Sequence, residues 1–239
     1  MKIKLNGHLK RALPTIPETD DYLDLDLSDC HVEPPIQGRR IFNVKEIFSE
    51  EIRNRIVSLI LPDCFEEMRT ESDNVCICKD LPILQKISGK NIFRIDYAVF
   101  QSCHTLESID FPKVTSICDY VFKECDSLTK VNLPNVKNIG RYSFANCSRL
   151  ESINLPKTTS IGESAFNYCV SLKSINIPNI TSLGDFTFNG CFRLESIDLR
   201  WIHEVDETVF ERCRSLETVN LFMDLIDDCM PEVCGELFD

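Results

Sequence analysis

The pattern that governs this chain is complete in one segment, Ile161-Gly-Glu-Ser-Ala-Phe-Asn-Tyr-Cys-Val-Ser-Leu-Lys-Ser-Ile-Asn-Ile-Pro-Asn-Ile-Thr-Ser182. Its phenylalanine, cysteine and leucine follow one another at steps of three and recur every 22 residues. The copies are Phe100, Phe122, Phe144, Phe166, Phe188 and Phe210, then Cys103, Cys125, Cys147, Cys169, Cys191 and Cys213, then Leu106, Leu128, Leu150, Leu172, Leu194 and Leu216. Repetition at this period is typical of a solenoid, in which each unit is one coil and equivalent positions stack.

Each unit contains one clear strand signal. Leu172, Ile175 and Ile177 have the spacing at which alternate side chains of a short strand point inward. Pro178 comes next, and we expect the strand to end there because proline has no amide hydrogen to give to a sheet. The same stop recurs at Pro112, Pro134 and Pro156. With less regular copies over residues 78–99, 56–62 and 22–30, the sequence predicts nine parallel strands, in a sheet about 40 Å long.

The rest of the unit is a second short extended piece followed by a turn. Gly140, Gly162 and Gly184 stand at the start of this turn, which indicates a backbone conformation that favours glycine. Cys118 and Asp206 occupy the same position in other units, so glycine is not required in every coil. The phenylalanine, cysteine and leucine then form a turn or a single helical turn that directs all three side chains inward.

Thirteen cysteines would usually suggest disulfides or a zinc site, but six of them occupy a single position of the repeat. Coils about 4.8 Å apart would stack these six into a straight column, whereas a zinc ion needs four ligands that converge on a point. We therefore predict small buried apolar residues that remain thiols in a reducing compartment. The other seven include Cys76 with Cys78 and Cys229 with Cys234. Neither pair has a partner at zinc-finger spacing, so no metal and no other cofactor is predicted.

The unit F-x2-C-x2-L-x2-I-x-L/I-P-x-V/I-x2-I/L-G resembles the leucine-rich-repeat class called BspA-like, or Treponema pallidum type, over about residues 84–221. The resemblance implies an α/β repeat solenoid, a right-handed leucine-rich-repeat stack with a parallel β-sheet on one face and short helical or extended segments on the other. It also implies protein binding, since the family includes surface adhesins and antigens of bacteria and parasitic protists.

The chain divides into four predicted parts. They are an N-terminal arm with a possible divergent first coil over residues 1–44, a cap helix and divergent repeats with an insertion over 45–99, regular 22-residue repeats over 100–221, and an acidic C-terminal cap over 222–239. The cap helix is predicted because Val44, Ile47, Phe48, Ile52 and Ile56 fall on one helical face. Residues 1–20 are either an ordered arm or a loose tail.

The composition indicates a water-facing chain. Hydrophobic residues make up 43% of the 239, and no run approaches the roughly 20 apolar residues of a membrane-spanning helix. The net charge is −12, and residues 100–239 carry most of it, with 21 acidic against 12 basic residues. Phosphate binding requires clustered Lys and Arg, so neither nucleic acid nor an anionic membrane is expected as a partner. No secretory signal is apparent, which favours a cytoplasmic location, with the cell surface as the alternative.

The outward positions of the predicted strands form three columns. The first is Glu107, Thr129, Glu151, Lys173, Glu195 and Glu217; the second is Ser108, Lys130, Ser152, Ser174, Ser196 and Thr218; the third is Asp110, Asn132, Asn154, Asn176, Asp198 and Asn220. The first and third columns contain four Glu and two Asp against one Lys. They predict an acidic, hydrogen-bonding face for a basic or polar segment of another protein. The other interpretation is that these are soluble strand residues without a partner.

Trp201 is the only tryptophan, and it stands beside these columns. Four sister coils have Lys113, Asn135, Lys157 and Asn179 at its position. A large apolar ring at a polar position is either a contact anchor for a partner or a residue that packs under the C-terminal cap. The predicted partner-binding residues are Glu107, Asp110, Glu151, Asn154, Lys173, Asn176, Glu195, Asp198, Trp201, Glu217 and Asn220.

Catalytic patterns are missing from the sequence. The four histidines are scattered, and no zinc-protease, nucleotide-binding or serine-hydrolase motif is present. We therefore predict a protein without enzymatic activity that binds another protein through its sheet face. The alternative is an exported or cell-surface adhesin or antigen, and the oligomeric state is left open.

Overall fold

Three ladders of hydrogen bonds, one on each side of the coil, hold successive coils together. The structure is a computed structural model of the chain. It describes residues 1–8, 16, 21–31, 47–63, 65, 67–68, 76–77, 80–202 and 205–221. In the regular coils the backbone hydrogen bonds between coils join groups 21 to 23 positions apart along the chain, while others close local turns, such as the bond from Cys147 N–H to the carbonyl of Phe144. The predicted parallel-sheet solenoid is confirmed, and its core is a column enclosed by the three ladders.

The first ladder is the main parallel sheet, to which each coil gives one strand. Its strands are β1 Lys2–His8, β2 Leu23–His31, β3 Ile56–Ile60, β5 Lys86–Ser88, β7 Ser108–Asp110, β9 Lys130–Asn132, β11 Ser152–Asn154, β13 Ser174–Asn176, β15 Ser196–Leu199 and β16 Thr218–Leu221. The hydrogen-bonded neighbours are parallel and form two groups, from β1 to β9 and from β11 to β16. The sequence predicted nine of these strands, and β1 is the additional one.

Proline follows the main-sheet strands at a fixed distance in the regular coils. In the four regular coils from β7 to β13 the strand has three residues and ends two residues before the proline. Arg200 replaces this proline in the next coil, and there β15 has four residues and Leu199 pairs with Leu221. The strand therefore ends where predicted in the coils with the proline and is longer at β15. However, β5 also has three residues with Lys90 at the proline position, so the proline is not the only limit on strand length.

The second ladder is a narrow parallel sheet on another side of the coil. Its strands have two residues each and are β4 Glu67–Met68, β6 Arg94–Ile95, β8 Ser116–Ile117, β10 Asn138–Ile139, β12 Ser160–Ile161 and β14 Ser182–Leu183. The second residue of each strand points inward, and Ile95, Ile117, Ile139 and Ile161 are at most 3% exposed. This ladder is the short extended piece that the sequence predicted after the proline.

The third ladder joins the turns that carry the phenylalanines. The N–H of Tyr142 donates to the carbonyl of Glu163 in the next coil at 3.0 Å, and the N–H of Asn146 donates to that of Asn167 at 2.8 Å. Tyr142 and Asn146 have positive φ angles of 54° and 61°, and equivalent residues in the other coils repeat this. A non-glycine residue in this region costs about 1–3 kcal/mol. The conformation turns alternate amides toward the same neighbouring coil, so the hydrogen bonds of the ladder offset the strain.

The interior of the coils is one continuous apolar column. Phe100, Phe122, Phe144, Phe166 and Phe188 are 0% exposed, and Phe210 is 7% exposed. Successive rings stack along the column with centroids 5.1 to 5.8 Å apart. The repeated leucines are buried beside them. The prediction that these side chains share one interior is confirmed.

The buried cysteines form a column of their own, with a hydrogen bond that the sequence analysis did not include. The Sγ atom of Cys147 donates to the carbonyl oxygen of Phe122 in the preceding coil at 3.2 Å. The same bond recurs at 3.1 to 3.2 Å for Cys125, Cys169, Cys191 and Cys213, and all five are free thiols. Cys103 is disulfide-bonded instead. The prediction of buried thiols is therefore confirmed for five of the six repeat cysteines and wrong for Cys103.

Glycine recurs next to the second ladder because the neighbouring coil lies too close for a side chain. A Cβ atom on Gly184 would lie 2.3 Å from the backbone nitrogen of Glu163, and one on Gly162 would lie 2.9 Å from that of Arg141. Among the described glycines only Gly190 has a positive φ angle. The predicted reason, a special backbone conformation, is therefore wrong, and close approach of two backbones replaces it.

Cys118 shows how a side chain is accommodated at this glycine position. Its N–H lies 3.4 Å from the carbonyl oxygen of Ile95, whereas the equivalent distance is 2.8 to 2.9 Å for its three glycine counterparts. The Cβ atom is thus accompanied by a wider separation of the two coils. This explains why glycine is frequent here without being required.

The N-terminal cap differs from the predicted single helix over residues 44–56. The helix that the structure describes is α1, Glu50–Arg53, with Ser49 as its N-cap, and Ile56 opens strand β3. Ile47 and Phe48 are buried as predicted, at 8% and 2% exposure. Pairing in the parallel sheet overrides the helical periodicity at Ile56. Val44, most of the predicted insertion and the predicted cap over residues 222–239 lie outside the described residues.

Candidate partner-binding face

The outward face of the main sheet consists of short polar side chains that alternate with buried isoleucines. In β11, Ser152 and Asn154 are exposed while Ile153 is 5% exposed. β13 has the same sequence and the same burial pattern. The candidates from the third column, which include Asp110, Asn154, Asn176 and Asn220, therefore lie on the face itself. The first-column candidates Glu107, Glu151, Lys173, Glu195 and Glu217 precede the strands and form its edge.

Ion pairs neutralise part of the charge that the sequence assigned to this face. Lys173 Nζ lies 2.9 Å from Glu151 Oε2, and an Arg200 guanidinium nitrogen lies 2.6 Å from Asp198 Oδ2. The hydrogen bond from Lys173 lowers the pKa of Glu151, and that from Arg200 lowers the pKa of Asp198. In the described part of the chain Glu107, Glu195 and Glu217 form no ion pair. The face is therefore a mixed polar surface with three unpaired carboxylates, less acidic than predicted.

Side-chain amides on the face connect one coil to the next. Asn132 Nδ2 donates to Asp110 Oδ1 at 2.6 Å, and Asn176 Nδ2 donates to Asn154 Oδ1 at 2.7 Å. An asparagine has two donor hydrogens and an acceptor oxygen with two lone pairs, so each amide retains hydrogen-bonding capacity toward a partner. The described side chains of Asn132 and Asn154 form no such bond with each other, and this gap coincides with an interruption of the sheet.

The main sheet is interrupted between β9 and β11. No pairing of described residues joins these two strands, although at the same level β10 and β12 pair normally in the second ladder. A groove of about 690 Å³ opens over the interruption, and its walls come from β9, β11 and β13. The two strands stay adjacent here although no ladder joins them, and the groove lies on their outward face, where the polar side chains of Lys130, Ser152 and Asn154 line it.

Two departures from the repeat mark the interruption. Val131 stands where the neighbouring coils have Ile109 and Ile153, and it is partly exposed whereas both isoleucines are buried. Lys130 stands where four of the other regular coils have serine and one has Thr218. Both side chains line the groove, although Val219 is a valine at the same position in β16 and pairs normally there. The sequence analysis missed this site, and these two substitutions are the signal that could have found it.

Trp201 lies two residues beyond the end of β15, beside the face. Its indole is 57% exposed. Its sister residues are polar and hydrogen-bond along the flank, as Lys157 Nζ does to Asn135 Oδ1 at 2.6 Å. An aromatic ring exposed to this extent favours the interpretation as a contact anchor.

Titratable side chains on another flank pair with one another across coils. His104 Nδ1 lies 2.7 Å from Asp126 Oδ2, and Ser102 Oγ donates to Glu124 Oε2 at 2.8 Å. A serine nucleophile would instead donate to the histidine that serves as its base. Among the residues that the structure describes, no three His, Cys, Asp or Glu side chains form a group suited to a metal ion. None of the helices in that part of the chain has the length and apolar character to cross a bilayer.

The coil geometry defines a leucine-rich-repeat protein, and comparison with known proteins gives the family. A family model described as "BspA type Leucine rich repeat region" matches residues 58–159 and 137–228, with six copies. The chain belongs to this family, as the resemblance predicted.

Solved structures of bacterial repeat proteins resemble this chain. A leucine-rich repeat protein from Bacteroides ovatus is 27% identical, with a TM-score of 0.56, over 70% of this chain and 43% of that one. The leucine-rich repeat protein of T. pallidum is 21% identical, with a TM-score of 0.47, over 64% of this chain and 67% of that one. The chain thus spans less than half the length of the Bacteroides protein. A comparison with curated proteins found no match.

Proposed function

We propose that this protein is a scaffold without enzymatic activity that binds a segment of another protein along the outward face of its main sheet. The observation that carries the proposal is the groove over β9, β11 and β13, which exposed lysine, serine and asparagine side chains line on the outward face. A partner segment in extended conformation can lie along this groove. The exposed serines and asparagines on either side can then bond to its polar side chains.

The charge of the face favours a basic or polar segment. The carboxylates of Glu107, Glu195 and Glu217 are exposed at its edge, and Asp110 lies on the face beside them. Because these groups face solvent, their contribution should weaken as salt increases. Trp201 supplies a large apolar contact at one end of the same surface.

The proposal is tested by a pull-down from native cells with wild type and two matched triple variants. Glu107, Glu195 and Glu217 are changed to Lys in the face variant, and Asp63, Asp185 and Glu207 are changed to Lys in the control. We expect wild type and control to capture the same partner, and the face variant to retain about a tenth or less of it. Equal capture by the face variant, or equal loss in the control, would contradict the proposal.

The alternative function, an exported or surface adhesin, is favoured by the disulfide bond of Cys103, since disulfides persist in oxidising compartments. Protease treatment of intact native cells separates it from a cytoplasmic scaffold. Digestion of the protein in intact cells would support the exported form. Resistance of the protein to the protease until the cells are lysed would contradict the exported form.

A further inference from the structure

Four arginines form a positively charged surface beside the partner-binding face. This arginine flank consists of Arg149, Arg193, Arg212 and Arg214, and all four are exposed. Arg149 and Arg193 occupy the same position two coils apart, so their Cα atoms are about 10 Å from each other. The flank is basic although the whole chain has a net charge of −12.

Aromatic side chains hold two of these arginines in place. The guanidinium carbon of Arg214 lies 5.4 Å from the ring centroid of Phe192. A guanidinium nitrogen of Arg212 donates to the hydroxyl of Tyr168, two coils away. The rings of Tyr168 and Phe192 meet edge to face with centroids 6.1 Å apart. The side chains of Arg212, Tyr168, Phe192 and Arg214 therefore form one connected cluster.

Gly190 makes room for this cluster. A Cβ atom there would lie 3.1 Å from the ring of Tyr168, and Gly190 has a φ angle of +72°. Its missing side chain lets the Tyr168 ring lie over the backbone between its own coil and that of Arg212. The phenol oxygen is thereby placed within reach of Arg212 and accepts a hydrogen bond from its guanidinium.

The guanidinium groups of the flank remain largely available to a ligand. In the described part of the chain Arg149, Arg193 and Arg214 form no ion pair, and Arg212 has one at 3.5 Å with Glu211. A guanidinium that contacts an aromatic ring keeps its in-plane N–H donors free for carboxylate oxygens. Arg200, by contrast, is paired closely with Asp198.

We propose that the arginine flank binds an acidic peptide segment of a partner protein. A peptide in the polyproline II conformation advances about 9 Å in three residues and returns every third side chain to the same side, so carboxylates at that spacing match the separation of Arg149 and Arg193. Each guanidinium can form two parallel hydrogen bonds with one carboxylate. Glu151 and Glu195, two residues after these arginines, would repel a continuous polyanion such as a sulfated sugar more than a peptide with spaced charges.

The flank is separate from the partner-binding face and opposite to it in charge preference. One molecule can therefore hold a basic or polar segment on its sheet and an acidic segment on its flank. The inference does not depend on the proposed function, because different residues carry the two surfaces.

The experiment measures fluorescence anisotropy of a labelled nine-residue peptide with glutamate at every third position, together with the same peptide carrying glutamine. Wild type is compared with the double variant Arg193→Gln, Arg214→Gln and with the matched control Lys113→Gln, Lys157→Gln. We expect wild type to prefer the glutamate peptide, the arginine variant to bind it at least about tenfold more weakly, and the control to remain within about twofold.

Melting temperatures establish that all variants are folded, and Arg149→Gln provides a second variant outside the aromatic cluster. The face variant should bind the glutamate peptide at least as well as wild type, which separates this test from that of the proposed function. No preference for glutamate in wild type would overturn the inference. So would equal losses in the arginine variant and the lysine control, or binding of a heparin oligosaccharide without binding of the peptide.

Discussion

Replacing Phe166 with alanine is expected to lower the free energy of unfolding by about 3–5 kcal/mol. Its side chain is 0% exposed, and its ring is stacked between those of Phe144 and Phe188, with centroids 5.2 and 5.6 Å away. Removing the ring takes packing contacts from both neighbours and leaves a cavity that rigid coils cannot close. Denaturation by urea, followed by circular dichroism, measures the loss.

Phe186 provides the matched control, because it is a phenylalanine of the next coil that is 36% exposed. The Phe186→Ala variant should lose no more than about 1 kcal/mol. Equal losses in the two variants, or a loss below about 1 kcal/mol for Phe166→Ala, would show that the ring column is not the core of the protein.

Alkaline pH is expected to destabilise this protein strongly between about pH 9 and pH 12. Burial raises the pKa of Cys125, Cys147, Cys169, Cys191 and Cys213 above the ordinary value of 9.0, to about 12 for Cys169 and Cys213. Below pH 9 these thiols are protonated in both states and contribute no pH dependence. Above it the unfolded thiols ionise while the folded ones do not, so unfolding releases protons and stability falls as pH rises. The effect ends once the folded thiols also ionise.

The size of this effect follows from proton linkage. Each buried thiol lowers the free energy of unfolding by up to about 1.4 kcal/mol per pH unit, so five together reach about 7 kcal/mol per unit. Urea unfolding at a series of pH values measures the slope. The double variant Cys147→Ala, Cys169→Ala should release about two fewer protons on unfolding, so its slope should be smaller. Lysines and tyrosines titrate equally in both proteins, so their contribution cancels in the comparison. An unchanged slope would mean that the thiols are not buried.

The 22-residue period of the sequence predicts those structural features that are determined within one coil. Phe166, Cys169 and Leu172 recur at a fixed spacing, so their stacking follows once the period is recognised. Pro178 predicts the strand end for the same reason, because its effect on hydrogen bonding is local. The outward columns of the candidate site follow from strand alternation, and Asn154 lies where it was predicted.

The period does not predict what depends on distances between coils. The glycine position reflects the neighbouring coil, whose Glu163 nitrogen would lie 2.3 Å from a Cβ atom on Gly184, and the sequence of one coil does not contain this distance. The interruption beside Val131 and the reach of Arg212 to Tyr168 likewise arise from how coils sit against each other. The ion pair between Lys173 and Glu151 was within reach of the sequence, since both stand in one column of adjacent coils.

The central claim is that the chain is a stack of 22-residue coils in which equivalent side chains share one interior, and deletion of a whole coil tests it most directly. Removing residues 167–188 joins Phe166 to Asn189 and preserves the phase of every column. Circular dichroism with thermal melting should show a folded protein with a cooperative transition. Removing residues 167–186 instead shifts the phase by two residues and should abolish that transition. Equal stability of the two deletion variants, or loss of folding only in the 22-residue deletion, would contradict the account.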